Sequence, residues 1–149
     1  MKYLAITAKS GTNYAGWFAD PIIAIVTTYT RDALPAKLAQ VLASYLLEND
    51  TPAPKAQTLA DIDPSSLEGS SEIETIWVEP EPISTVSLEI ERAIKASGLN
   101  QSEVARRMGV SRSALSRLTN PFYKSHSWDS LQRVADALGM RLEAPKFVR

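Results

Sequence analysis

The 149-residue chain contains no cysteine. That removes any disulfide framework and any thiolate metal site. A single histidine, His126, removes a multi-histidine metal centre. No apolar run approaches the ~18 residues that would span a bilayer. The opening Met1-Lys2-Tyr3-Leu4-Ala5 is not followed by an apolar signal region and cleavage site. The expectation is a soluble, cytoplasmic protein with no membrane partner and no cofactor. Hydrophobic residues make up 44% of the chain, enough for a packed core and against wholesale disorder.

The net charge of −1 conceals a division. Residues 1–83 carry five basic against eleven acidic groups, a net of −6. Residues 84–149 carry eleven basic against six acidic groups, a net of +5. A basic half suits a polyanion and an acidic half would be repelled by it. Two modules are therefore expected, at residues 1–80 and 87–149, joined by an acidic, Pro-containing hinge at 81–86. The preceding Glu79-Pro80-Glu81-Pro82 favours stiff, extended geometry.

Short extended segments open the acidic half. Lys2 to Ala8 alternates loosely, and Ser10-Gly11-Thr12-Asn13 is a turn cluster. Tyr14 to Ala19 is a second strand, ended by Asp20-Pro21. Ile22 to Tyr29 is nearly continuous and β-branched, the pattern of a buried strand. Leu34, Leu38, Val41, Leu42, Tyr45 and Leu46 then recur at helical spacing. Thr30 or Asp32 can cap that helix, with Pro35 in its first turn. Residues 50–71 read as a loop. Ile73, Ile76 and Val78 suggest a fourth strand with Trp77 on its other face. Trp17, Phe18 and Trp77 are expected in the core.

The basic half reads as short capped helices. Ser87 to Ser97 carries Leu88, Ile90, Ala93 and Ile94, and Gly98 stops it. Asn100 caps the next helix, with Glu103 completing a capping box. Gly109 ends it, and Ser111 caps a helix that runs to about Thr119. Ser127 caps a further helix that Gly139 stops. Met140 to Val148 is expected as a short terminal strand or extended tail, at an edge because of Pro145. Trp128 is expected to pack against the helices.

Two short helices joined by Gly109-Val110-Ser111 define a helix-turn-helix. Ala105 is small where the helices cross, Gly109 permits a positive φ, and Val104, Met108, Leu115 and Leu118 supply a shared core. The outward face of the second helix holds Arg112, Ser113, Ser116 and Arg117. In this motif the start of the second helix enters the major groove, where Arg can bridge guanine O6 and N7. Gln101 and Ser102 open the first helix, whose N-terminal N–H groups favour a phosphate. Lys124, in the loop after the recognition helix, is a further phosphate candidate. Arg106 and Arg107 could contact DNA or simply offset the helix dipole. His126 reads as a structural or capping residue.

Leu99-Asn100-Gln101-Ser102-Glu103-Val104-Ala105-Arg106-Arg107-Met108-Gly109-Val110-Ser111, followed by Arg112-Ser113-Ala114-Leu115-Ser116-Arg117-Leu118, resembles the phage-repressor (Cro/C1, or XRE) helix-turn-helix. The resemblance places base-reading positions on Arg112, Ser113 and Arg117 and a phosphate contact on Gln101. Together with the strand order of the acidic half, the whole layout is similar to HicB antitoxins. That likeness implies an α+β chain with an N-terminal βββαβ partial RNase H-like domain and a C-terminal helix-turn-helix domain. It further implies an antitoxin that neutralises a small HicA-like ribonuclease and represses its own operon. Operator DNA would be bound by a homodimer or homotetramer, with recognition helices roughly 34 Å apart.

The acids Asp20 and Asp32 raise the question of RNase H chemistry, which needs clustered carboxylates around metal ions. Both also suit turn and cap roles, and no reliable constellation of acids appears. The chain is thus expected not to be an enzyme. The other reading is a stand-alone transcription regulator whose N-terminal domain senses a small molecule or only oligomerises.

Overall fold

The structure, a computed structural model, describes residues 1–18, 20, 23, 25–49 and 58–149. It divides into two compact units, Met1–Pro82 and Ile83–Arg149.

The first unit is a four-stranded antiparallel sheet of order β3-β2-β1-β4. Its strands are β1 (Tyr3–Ser10), β2 (Asn13–Phe18), β3 (Val26–Thr28) and β4 (Ser71–Val78). Gly11, at φ +62°, turns the chain between β1 and β2. One sheet face presents Tyr3, Ala5, Phe18 and Val78 to Leu34, Leu38 and Leu42 of α1 (Leu34–Glu48). Gly16 lets α1 approach β2 closely, because a Cβ there would lie 3.0 Å from Leu38 Cδ1.

The third strand is short and lies at the sheet edge. Ile25 and Tyr29 are 66% and 89% exposed, so the apolar run does not make a buried strand. Ile22 and Ala24, like Ala19, Pro21 and residues 50–57, lie outside the described residues. Neither Thr30 nor Asp32 caps α1. A 3-10 turn, Arg31–Ala33, leads into it, and Thr30 makes no side-chain cap bond. Pro35 does fall in the first turn, where its missing N–H costs nothing.

Ile73 does not share the face of Ile76 and Val78, because an offset of three puts residues on opposite sides of a pleated strand. Ile76 and Val78 pack toward α1, whereas Ile73 joins the opposite face. Trp77 does lie away from α1 but is 48% exposed. That opposite face is covered in its own right. Ile62 and Leu67, from the stretch expected as loop, pack on Leu4, Ile6, Ala8, Ala15 and Trp17. Two 3-10 turns, Leu59–Asp61 and Pro64–Leu67, hold this cover. The central strand β1 is therefore buried on both faces along most of its length.

The second unit is helical: α2 (Thr85–Ser97), α3 (Gln101–Met108), α4 (Arg112–Thr119) and α5 (Trp128–Leu138). Ser84, Asn100, Ser111 and Ser127 each cap a helix through the side chain. Gly98, Gly109 and Gly139 close three of them in the left-handed region. The core joins Ile90 and Ile94 with Val104, Ala105, Leu115, Leu118, Val134 and Ala137. Of the two readings of Met140 to Val148, the short strand is not formed and the tail is what remains: residues 140–149 make no ladder with any described residue. A strand must pair its N–H and C=O groups with a neighbour, and no strand lies in this unit to supply one. Trp128 does not pack as expected. It is 51% exposed and lines an open apolar groove with Val86, Leu131 and Met140. No helix among the described residues is long and apolar enough to cross a membrane.

Candidate nucleic-acid interface

The α3–turn–α4 segment builds the site. Asn100 Oδ1 accepts the Glu103 N–H at 2.8 Å, which fixes the start of α3. The capping box is only half made. The Glu103 carboxylate turns instead to Arg106 (2.6 Å) and Arg107 (3.1 Å). Hydrogen bonds from Arg106, then Arg107, lower its pKa from 4.5 to about 2. Arg107 also reaches toward the Ala137 carbonyl at 3.5 Å.

Gly109, at φ +69°, turns the chain, and the Val110 N–H returns to the Ala105 carbonyl at 3.0 Å. Ser111 Oγ then accepts the Ala114 N–H at 3.1 Å, so its side chain is engaged as the cap of α4. Leu115, Leu118 and Thr119 face inward and are buried. The helical period leaves Arg112, Ser113, Ser116 and Arg117 together on the exposed face. Ser102 is exposed and Gln101 half-buried at the first turn of α3. Lys124 is exposed in the loop between α4 and α5.

The ion pairs sort the cations of this unit. Arg92, Lys95, Arg106, Arg107, Arg133 and Arg141 each meet a carboxylate of the same unit. Arg112, Arg117 and Lys124 meet none among the described residues, and neither do Lys146 and Arg149 of the tail. The exposed face of α4 is therefore a cationic surface without a carboxylate partner among the described residues, the arrangement that a phosphate backbone neutralises.

Residues 89–143 match the Cro/C1-type HTH DNA-binding domain. The match spans most of α2, then α3, α4 and α5, and reaches into the tail. No curated protein matches the chain. This unit is thus a helix-turn-helix DNA-binding domain, with α4 in the place of the recognition helix.

Sequence reasoning missed the residues that hold the loop after α4. Ser87 is fully buried on α2, in phase with Ile90 and Ile94. Its hydroxyl lies 3.3 Å from the Tyr123 carbonyl and 3.1 Å from His126 Nε2. The available signal was a serine at an apolar-phase position, since a buried hydroxyl requires a partner. Among the described residues no group of three or more His, Asp or Glu side chains could hold a metal ion.

Proposed function

We propose that the chain is a sequence-specific transcription repressor of the HicB antitoxin type. The C-terminal unit binds operator DNA, and the N-terminal unit binds and neutralises a small, basic, HicA-like ribonuclease. The observation that carries the DNA reading is the exposed Arg112, Ser113, Ser116, Arg117 face of α4, whose cations meet no carboxylate among the described residues. In this reading Arg112, Ser113 and Arg117 meet base edges, and Ser116 lies beside them. Gln101, Ser102, Ser111 and Lys124 lie along the phosphates. The protein acts in the cytoplasm as a homodimer or homotetramer, and it is not an enzyme. The antitoxin reading draws support from the βββαβ element order and the acidic balance of residues 1–83, which complements an RNA-binding protein.

Two measurements test it. Selection of bound duplexes from a random pool by the full chain should return a two-fold symmetric sequence; recovery without any sequence preference contradicts operator recognition. Induction of the neighbouring small reading frame in a host should arrest growth. Co-expression of the full chain should relieve the arrest, as should its R117A variant if neutralisation proceeds by protein contact. Arrest that neither relieves removes the antitoxin reading and leaves the regulator.

A further inference from the structure

The loop that follows the recognition helix is held at nearly every residue but one. The Pro121 carbonyl accepts the Ser84 N–H at 2.7 Å. Asn120 closes a turn on itself, its Oδ1 taking the Phe122 N–H at 2.9 Å and its carbonyl the Tyr123 N–H at 3.0 Å. The Tyr123 hydroxyl donates to the Ser125 carbonyl at 3.1 Å. The Tyr123 ring meets His126 edge-on, with centroids 4.8 Å apart. Lys124 sits between these anchors, exposed and without a carboxylate partner among the described residues.

His126 ties this loop to the helix. Its Nε2 lies 2.8 Å from the Leu118 carbonyl, one of the last four carbonyls of α4, which lack partners within their own helix. A carbonyl only accepts, so Nε2 carries the proton and donates it. The Ser87 oxygen, at 3.1 Å, shares the same N–H, and the Ser87 hydroxyl proton points to the Tyr123 carbonyl. One imidazole thus joins the end of α4, the buried face of α2 and the loop that displays Lys124.

We propose that His126 is a positioning residue for DNA binding. Through Leu118 and Ser87 it fixes the end of the recognition helix and presents the Lys124 ammonium to a backbone phosphate. A pre-held cation binds without the ordering cost of a free loop. The inference rests on the DNA-binding reading of α4 and its following loop.

The test is the salt dependence of binding to a selected operator duplex, with the full chain. Each phosphate contact contributes about 0.9 to the slope of log affinity against log salt. K124A should lower the slope by about one, so that its affinity falls about fourfold less than wild type between 50 and 200 mM salt. H126A should lower the slope equally, and H126A/K124A should lower it no further. H126Q, whose amide N–H can still donate to Leu118, should restore it. A merely structural His126 would reduce thermal stability and leave the slope of the folded protein unchanged, and that result overturns the proposal. Should H126A fail to fold, S87A carries the test, with a slope falling toward the K124A value in support and a wild-type slope against. A K124A variant with the wild-type slope would overturn the inference together with the phosphate role of Lys124. A reduced K124A slope beside an unchanged H126A slope overturns the positioning role alone.

Discussion

The Arg31 guanidinium donates to the Glu72 carbonyl at 2.6 Å, at the one residue other than glycine with a positive φ (+52°) among the described residues. Glu72 stands where the β1–β4 register shifts between Thr7 and Lys9, so Arg31 clamps the bulge at the start of β4. The same guanidinium reaches Thr7 Oγ1 at 2.9 Å and Glu74 at 3.1 Å, and lies over the Tyr14 ring. It thereby links the turn before α1 to β1, β2 and β4.

Removing it should cost more than a surface ion pair. Thr7 is 2% exposed, and without Arg31 its hydroxyl loses its charged donor. R31A is expected to destabilise the protein by about 1–3 kcal/mol. T7V removes the hydroxyl that would be stranded, so R31A should cost less in the T7V background. Urea denaturation of the four proteins closes the cycle. Strict additivity would show that the Arg31–Thr7 bond contributes nothing of its own.

Glu103 supplies a pH signature. Its carboxylate is held at about 2 in the fold against an ordinary 4.5. A depressed folded value means stability that is complete above about 4.5 and is lost as pH falls toward 2. E103Q cannot titrate and should lose this component, so the wild-type and variant stability curves converge across that window. The carboxylate is solvent-screened, so the amplitude is small. Denaturant midpoints at a series of pH values compare the two. Parallel curves would mean that the Arg106 and Arg107 contacts do not persist in solution.

The helix-turn-helix was legible because each of its signals is local. Asn100, Gly109, Ser111, Ser127 and Gly139 act within a turn of themselves, and their roles follow from capping and φ alone. The parts that were not legible depend on distant partners. Glu103 has the spacing of a capping box, yet two arginines one turn further on outbid the Asn100 backbone for its carboxylate. Ile62 lies in a polar, Pro-rich stretch whose local pattern reads as loop, and only the sheet's second face explains its burial. His126 shows nothing in sequence of Ser87, which is 39 residues away. The strand at Ile22 to Tyr29 failed for the opposite reason. Its composition is that of a buried strand, but of its described residues only Val26–Thr28 pairs, at the sheet edge; Ile23 and Val26 reach the core while Ile25 and Tyr29, outside the ladder, are exposed.

Gly109 tests the turn itself. A Cβ there would meet nothing within 4 Å, so the only penalty for a side chain is its φ of +69°. G109A should cost about 1–2 kcal/mol. G109N should cost less, because asparagine tolerates the left-handed region. Thermal or urea unfolding ranks the three. Equal stability of the alanine and asparagine variants would point to a turn that relaxes to negative φ.

The division of cations makes the sharpest prediction for DNA. Arg106 and Arg107 already share the Glu103 carboxylate, so a phosphate would have to compete for them. Arg112 and Arg117 face no such competition. R112A and R117A are therefore expected to weaken operator binding more than R106A, by about 1–3 kcal/mol where the arginine bridges a guanine. A lost base contact should also relax the preference at one base pair, which a lost phosphate contact would not do. Binding measured against a panel of single-base operator variants separates the two. If R117A lowers affinity uniformly across the panel, Arg117 holds the backbone, and the base reading passes to Arg112 and Ser113. If R106A proves as costly as R117A, Glu103 does not restrain Arg106 at the DNA, and the interface extends along α3 to its last turn.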